Sequence, residues 1–405
     1  MKLLLIIAAS LLTALGGRPA SDSIPEVKVD YKISEWATAP NIADDLLVMR
    51  LMSEMSTEEK VAQLIVIPIE QGQSSRTVDS WVRDWKVGGL LPMADSYASS
   101  MRRVNELQQI AKIPLLVSID GEWGVAMRYS EFTSFPRQKQ LARQTDSVIF
   151  ETGRAMAKEL KSMKITVNYA PVADVKNNPA NANVGVGSRS FGADPQMVAR
   201  KCVAIMKGMQ SEGIIACAKH FPGHGDTSVD SHIGMPVLKF SRERLDSIEL
   251  VPFKALIDNG VKMVMVGHLS VPALDPSGTP ASISKPIMTD LLRNELGFRG
   301  LIVTDALNMR GVLDWVGGQS AQASLAAFKA GADILLAPPD VVGSIKLIAG
   351  KVDSGEIPVS ELDMKCRRVL MAKVKAGLLA PGYDTQVDIK AVNPKINSAF
   401  ISKLR

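Results

Sequence analysis

From about residue 44, short apolar runs alternate with segments of helical character along the chain. The runs are nearly continuous in apolar residues, which is typical of strands that a parallel sheet buries on both faces. Eight runs occur, at residues 64–69, 88–93, 114–120, 166–175, 214–220, 261–268, 300–305 and 332–338. Eight alternations predict an α/β fold of the (β/α)8 TIM-type barrel class with long loops. An open doubly wound sheet is less favoured, because no glycine-rich phosphate turn follows the first run.

Three of the intervening segments carry clear helix signals. Ser56 and Glu59 have the spacing of a capping box and stand ahead of an apolar face, so a helix should begin there. Residues 152–163 and 321–329 are the other two helix candidates. Helices between buried parallel strands are what the barrel architecture requires.

The N-terminus resembles an export signal. Met1 and Lys2 precede an apolar stretch at residues 3–15, and small residues follow before Arg18 and Pro19. The stretch is too short for a bilayer, where about 20 apolar residues are needed, but it suits a secretory signal peptide. A first core helix is the alternative interpretation. We expect residues 1–19 to be a signal peptide and the mature chain to be exported, to the periplasm or outside the cell.

The remaining chain is expected to divide into three parts. Residues 20–43 form an irregular lead-in, residues 44–380 form the barrel, and residues 381–405 form a linker and a truncated tail. The helix-like pattern at residues 399–404 stops abruptly, which suggests the start of a missing C-terminal domain.

Composition excludes several classes of protein. Apolar residues make up 46% of the chain and charged residues 22%, which argues against intrinsic disorder and coiled coils. The net charge of +5 comes from residues spread along the chain, so no nucleic-acid partner is indicated. No later segment is long and apolar enough to give a stable membrane span. The three cysteines fit neither a zinc pattern nor a disulfide framework, and we expect buried thiols. The sequence leaves the oligomeric state open.

Four apolar runs end in a polar side chain that could take part in chemistry. These residues are Asp120, His220, His268 and Asp305. In a barrel such strand ends meet on one face, which is where active sites of this architecture lie. Each residue alone could instead begin a loop or cap a helix, as Asp305 could before residues 306–308.

The segment at residues 219–232 carries three of the four histidines. Its proline and glycines preclude a helix, so it should be a loop leaving the fifth strand. Asp230 and His232 are two residues apart and would project to the same side of an extended segment. A carboxylate beside an imidazole stabilises the imidazolium, so this pair could act as a general acid and base.

Two other interpretations of this loop stay open. A metal site could use His220, His224 and His232 with Asp226 or Asp230, although the spacing matches no established ligand pattern. Alternatively, the loop could be purely structural, with Asp230 forming an Asx-turn.

The sequence KHFPGHGDTSVDSH at residues 219–232, with VTDALNM at residues 303–309, resembles the β-N-acetylglucosaminidases (β-N-acetylhexosaminidases) of glycoside hydrolase family 3. The resemblance runs from about residue 50 to 380 and includes residues 120–128, 170–175 and 187–192. It implies a barrel domain, catalysis without a metal or cofactor, and release of a terminal β-linked N-acetylglucosamine with retention at the anomeric carbon.

The resemblance also implies roles for individual residues. Asp305 matches the catalytic nucleophile, and Asp230 with His232 matches an Asp-His acid/base dyad. Further matched positions would hold the hydroxyls of the sugar, and these are Asp120, Arg128, Arg189, Lys219 and His220. Either arginine could instead be a structural ion-pair partner. His268 is as well explained by a supporting or core role as by contact with the sugar.

One motif departs from the family pattern and keeps alternatives open. Asp120-Gly121-Glu122-Trp123-Gly124 places a tryptophan where relatives more often have a small residue, which leaves the leaving-group preference undecided. A β-glucosidase or an N-acetylglucosaminide phosphorylase on the same barrel, a metal-dependent hydrolase and a non-catalytic glycan-binding protein are the competing functions. The expected partner is an oligosaccharide or muropeptide with terminal N-acetylglucosamine, met in carbohydrate metabolism or peptidoglycan turnover.

Overall fold

The computed structural model describes residues 41–93, 96–178, 188–227 and 235–404. Its eight parallel strands are β1 (Ile65–Ile69), β2 (Gly89–Pro92), β3 (Leu116–Ile119), β4 (Val167–Asn168), β5 (Ile215–Phe221), β6 (Met263–Val266), β7 (Leu301–Thr304) and β8 (Leu335–Leu336). Seven of these strands fall within an apolar run, and β5 extends one residue beyond its run, to Phe221. Neighbours in the sheet follow chain order from β1 to β7, and β8 returns beside β1. The predicted (β/α)8 barrel is therefore confirmed, as a nearly closed barrel.

Helices surround the strands. They are α1 (Ile42–Ser53), α2 (Thr57–Ala62), α3 (Ser75–Arg83), α4 (Tyr97–Ile110), α5 (Gln138–Leu141), α6 (Asp146–Ser162), α7 (Pro195–Ser211), α8 (Arg242–Arg244), α9 (Val251–Asp258), α10 (Arg310–Leu313), α11 (Ser320–Ala330), α12 (Val341–Asp353), α13 (Val359–Lys375) and α14 (Ser398–Ser402). Residues 245–249 and 286–295 are π-helical, and residues 125–127 and 281–283 form 3-10 turns.

All three predicted helices are present, and one of them begins earlier in the chain than predicted. The Ser56 hydroxyl accepts the backbone N–H of Glu59 at 3.1 Å, which caps α2 as expected. The Glu59 carboxylate pairs with Lys86. The helix expected at residues 152–163 begins earlier, at Asp146, because Thr145 supplies the N-cap. The helix expected at residues 321–329 is part of α11.

Two glycines allow α6 and α7 to pack closely outside β4 and β5. A Cβ atom on Gly153 would lie 2.3 Å from the carbonyl oxygen of Ile205, and one on Gly208 would lie 2.1 Å from that of Phe150. Only glycine fits at either position without moving a helix backbone.

All three cysteines are buried free thiols, as expected. Within the described residues, no helix has the length and apolarity needed to cross a membrane.

The C-terminal segment contacts both α6 and the long connection between β3 and α6. The backbone N–H of Thr133 donates to the carbonyl of Pro394 at 3.1 Å. The side-chain amide of Asn397 donates to the carbonyl of Ala155 and to the Glu159 carboxylate, each at 2.9 Å. Burial raises the pKa of Glu159 to about 7. This connection carries several of the candidate site residues, so its anchoring bears on the site.

Side chains reinforce the seam between β7 and β8, where the ladder consists of a single bridge between Val303 and Ile334. The fully buried Asp333 accepts the backbone N–H of Ile302 at 2.8 Å. Its carboxylate also pairs with Arg293 at 2.6 Å and with Arg368 at 2.9 Å. Asp333 thus joins the seam to the helical layer.

We expect Asp333→Ala to lower the free energy of unfolding by about 3–5 kcal/mol, because it leaves the buried Arg293 without its carboxylate. The matched control is Asp314→Ala, whose partner Arg310 and whose own side chain are both more than half exposed. An exposed pair of this kind should contribute less than about 1 kcal/mol. Urea denaturation of both variants measures the difference, and equal losses would show that the seam does not depend on Asp333.

Candidate active site

The polar residues at the strand ends meet on one face of the barrel. Asp120 follows β3, and Asp305 follows β7. Lys219 and His220 are near the carboxyl end of β5, and His268 lies just beyond β6. Parallel strands of a barrel direct their carboxyl ends to the same side. Sequence therefore predicted the location of these residues, although it did not predict their contacts.

Lys219 lies at the centre of the site, with its side chain 3% exposed. Its Nζ is 2.8 Å from Asp120 Oδ1 and 2.9 Å from Glu122 Oε1. Burial lowers the pKa of Lys219, but the two carboxylates outweigh burial and hold the pKa above its ordinary value. The ammonium group therefore stays charged.

Two arginines complete this network. Arg128 Nη2 donates to Asp120 Oδ2 at 2.5 Å. Arg189 binds Glu122 in a bidentate manner, with Nε at 2.7 Å and Nη2 at 2.5 Å from the two carboxylate oxygens. Among the described residues, the buried Nε of Arg128 has no hydrogen-bond partner. The network thus joins three cations to two carboxylates and leaves the N–H at Arg128 Nε without an acceptor.

The cations keep both carboxylates ionised. Burial raises the pKa of Glu122, but Lys219 and Arg189 outweigh burial and bring the pKa to about 2. Lys219 and Arg128 likewise outweigh burial at Asp120 and hold its pKa well below the ordinary range. Both groups are therefore permanent hydrogen-bond acceptors at neutral pH.

A second cluster forms around the fully buried Asp174. Its Oδ2 is 2.8 Å from His220 Nδ1, and its Oδ1 accepts the backbone N–H groups of His220 at 3.1 Å and His224 at 2.7 Å. Burial raises the pKa of Asp174, but His220 outweighs it and lowers the pKa to about 2. A carboxylate at Nδ1 fixes the orientation and tautomer of the His220 ring.

Asp305 is half-buried and held by the backbone. Its N–H donates to the carbonyl of Val266 at 2.9 Å, and its Oδ1 accepts the N–H of Ala306 at 2.8 Å. Burial raises the pKa of Asp305, but His268 and His220 outweigh burial and hold the pKa below its ordinary value. The Asp305 side chain is consequently an anion at neutral pH.

His268 supports the backbone beside Asp305. Its Nδ1 is 2.5 Å from the Ser282 hydroxyl, and its Nε2 donates to the carbonyl of Ala306 at 2.9 Å. The side chain is fully buried. These contacts favour the supporting role over direct contact with a ligand.

Two of the predicted site residues, Asp230 and His232, lie outside the described residues. Two other residues of the proposed metal set have structural partners: Asp226 accepts from Arg244 at 2.8 Å, and His224 Nδ1 is 2.6 Å from the Thr227 hydroxyl. No group of three potential metal ligands comes together among the residues that the structure describes.

Sequence reasoning did not single out Glu122 or Asp174. Glu122 could have been found by counting charges. If Arg128, Arg189 and Lys219 surrounded only Asp120, two of these three cations would have no carboxylate partner. Asp174 could have been found from position, since it stands near the end of the fourth apolar run as Asp120 does in the third.

Residues 56–372 match the sequence description of the glycosyl hydrolase family 3 N-terminal domain. The chain belongs to glycosyl hydrolase family 3. This confirms the resemblance that the sequence motifs indicated, and the family supports a glycosidase acting on O-glycosyl bonds.

Individual relatives carry consistent names. A beta-hexosaminidase A of Pseudoalteromonas piscicida is 36% identical over 279 residues, which cover 63% of this chain and 46% of that protein. A beta-hexosaminidase of Nitrosomonas eutropha is 33% identical over 262 residues, which cover 62% of this chain and 73% of that protein. The chain therefore spans less than half the length of the first relative and about three quarters of the second.

A solved structure agrees with both. The family 3 β-N-acetylglucosaminidase of Paenibacillus sp. FPU-7 superposes with a TM-score of 0.79 at 31% identity, over 86% of this chain and 68% of that one. The barrel is thus the fold of known family members.

We expect Glu122→Gln to lower stability in a pH-dependent way. The folded state depresses the pKa of Glu122 from 4.5 to about 2, so ionised Glu122 stabilises the fold above pH 4.5. That stability is lost as the pH falls towards 2. The gap in Tm between the native chain and the variant should therefore be largest at pH 7 and fall to less than half at pH 3.

The control is Glu58→Gln, in the exposed first turn of α2, which should give a small gap at both pH values. Circular dichroism melting curves measure all four gaps. A Glu122→Gln gap that does not change with pH would contradict the assignment of Glu122 as a permanently ionised partner of Lys219 and Arg189.

Proposed function

We propose that this chain is an exo-acting, retaining β-N-acetylglucosaminidase that releases terminal β-linked N-acetylglucosamine by double displacement. The observation that carries the proposal is the ionised carboxylate of Asp305 at the end of β7, on the same face as the network around Lys219. The names of the related β-hexosaminidases and of the Paenibacillus enzyme support the choice of sugar.

Asp305 is the nucleophile in this proposal. Its depressed pKa supplies the anion that must attack the anomeric carbon, and the Ala306 N–H orients the carboxylate. Attack forms a bond between Asp305 and the sugar while the bond to the leaving oxygen breaks. The product of this first step is a covalent glycosyl-enzyme.

His232 supplies the proton, with Asp230 stabilising the imidazolium. Its spacing from Asp230 and its position in the glycine-rich loop after β5 support this role. His232 protonates the leaving oxygen in the first step and takes a proton from the attacking water in the second. The pair replaces the carboxylic acid that most retaining glycosidases use.

The charged network is proposed to bind the sugar. Ionised Asp120 can accept hydrogen bonds from two neighbouring hydroxyls. Arg189, Lys219 and His220 are proposed to donate to further hydroxyls. Because ion pairs already hold these groups, little ordering would be needed when the sugar binds.

The N-terminal pattern supports export, and we infer that the protein works in the periplasm or outside the cell. The substrates available there include peptidoglycan fragments and chitin-type oligosaccharides. Both carry terminal β-linked N-acetylglucosamine, so the proposal places the chain in carbohydrate metabolism or peptidoglycan turnover.

The test compares release of nitrophenol from 4-nitrophenyl β-N-acetylglucosaminide and from the β-glucoside. We expect preferential cleavage of the acetamido sugar, unchanged by EDTA. Asp305→Asn should lower kcat by about 10³-fold or more, because an amide is not a nucleophile at the anomeric carbon. The control Asp314→Asn, on the same strand-to-helix connection, should keep full activity.

Three results would contradict the proposal. Faster cleavage of the glucoside would indicate a β-glucosidase, and sugar 1-phosphate formed in phosphate buffer would indicate a phosphorylase. Full activity of Asp305→Asn would remove the proposed nucleophile.

A further inference from the structure

A groove of about 870 Å³ opens beside the candidate active site. Three of its lining side chains are the cations Arg137, Lys139 and Arg143, and Gln144 and Ser188 also line it. We call these five residues the basic groove. Its volume is in the range of sites that hold a small ligand.

The basic groove lies on the catalytic side of the barrel. Arg137, Lys139 and Arg143 precede the first turn of α6, whose N-cap is Thr145. In a (β/α)8 barrel each helix begins on the side where the preceding strand ends. The groove is therefore on the rim of the face that carries Asp120 and Asp305.

Arg137 connects the groove to the charged network. Its guanidinium lies over the ring of Trp123 at 4.3 Å, and its Nη1 donates to the Ser188 hydroxyl at 2.8 Å. Trp123 is the neighbour of Glu122 in the chain, and Ser188 is the neighbour of Arg189. The groove thus adjoins the pair of Glu122 and Arg189 directly.

The positive charge of the groove is not neutralised within the described part of the chain. None of the described lining residues is acidic, and none of the three cations forms an ion pair with a described residue. Residues 179–187, which precede Ser188 in the sequence and lie outside the described ranges, contain no aspartate or glutamate. Asp146, close in sequence, is bound by Arg200 at 3.1 Å and by Lys201 at 2.7 Å.

We propose that the basic groove binds carboxylates on the leaving-group part of the substrate. The inference rests on the proposed function: an exo-acting enzyme encloses the terminal sugar, so the rest of the substrate extends outward across the rim. A groove whose described lining residues include three cations and no acidic side chain favours an anionic leaving group over a neutral oligosaccharide. The carboxylate can belong to an acidic sugar or to a peptide attached to a sugar.

The first test uses the double variant Lys139→Gln and Arg143→Gln. Arg137 is kept, because it orders Trp123 beside the network. Two substrates share N-acetylglucosamine and one leaving group, which carries a free carboxylate in one and a neutral amide in the other. The variant should raise KM for the carboxylate substrate about tenfold, as expected for two solvent-exposed charge contacts, and leave kcat within about twofold.

The amide substrate should be unaffected, and the effect on the carboxylate substrate should fade in 1 M salt, since exposed charges are screened. The matched control replaces Arg102 and Lys158, two exposed cations on α4 and α6 outside the groove, with glutamine. It should change neither KM. The reversed variant Lys139→Glu and Arg143→Glu should prefer the amide, with circular dichroism checking that each variant is folded.

The two possible sources of the carboxylate are separated by a second pair of substrates. One has its carboxylate on the sugar next to the scissile bond, and the other has carboxylates only on a peptide attached to that sugar. A rise in KM confined to one of them supports the groove and identifies the source. Equal KM values for charged and neutral substrates in every variant would overturn the proposal.

Failure of the groove and failure of the proposed function are distinguishable. If 4-nitrophenyl β-N-acetylglucosaminide is cleaved normally but charge on larger leaving groups has no effect, only the groove proposal fails. If the nitrophenyl sugar is not cleaved at all, the proposed function fails as well.

Discussion

The site depends on one buried cation, the ammonium of Lys219, held between Asp120 and Glu122. Without it, each carboxylate would keep only its arginine partner, and no cation would lie between the two carboxylates. With it, β5 is tied to the residues that follow β3, and both carboxylates remain acceptors. The candidate sugar site is therefore an electrostatic unit rather than a set of independent side chains.

This unit extends outward through its arginines. Arg189 binds Glu122 and stands beside Ser188, which accepts from Arg137 in the basic groove. Arg137 in turn lies over Trp123. A chain of direct contacts thus runs from Lys219 to the rim, so that recognition of the terminal sugar and of the leaving group would share one scaffold. The C-terminal segment contacts the connection between β3 and α6 at Thr133, through Pro394, and contacts α6 at Glu159, through Asn397.

Sequence could predict the barrel because a strand that is buried on both faces appears in the sequence as a continuous apolar run. It could also predict the catalytic face, since strand ends converge by topology. The lengths of the strands were harder to predict from sequence. The run at residues 166–175 contributes only Val167 and Asn168 to β4, because Pro171 has no N–H to extend a ladder. The pairing of Glu122 with Arg189 joins positions 67 residues apart, and no local pattern encodes such a contact.

The proposed mechanism differs from the two-carboxylate scheme in how charge is divided between the nucleophile and the proton donor. Asp305 is kept anionic by neighbouring imidazoles, while the proposal assigns the proton donor to a histidine, His232. After the first step Asp305 would be esterified to the sugar and His232 would be a neutral imidazole, so neither group would carry a negative charge as the water attacks. The central claim is therefore that Asp305 forms a bond to the sugar.

Trapping that bond tests the claim most directly. The enzyme would be incubated with 5-fluoro-N-acetylglucosaminyl fluoride, whose slow second step lets a covalent intermediate accumulate, and then digested for mass spectrometry. We expect the mass of one fluorosugar on the peptide that contains Asp305, and on no peptide of the Asp305→Asn variant. A sugar attached to another residue, or turnover of the fluoride without any labelled peptide, would contradict the account.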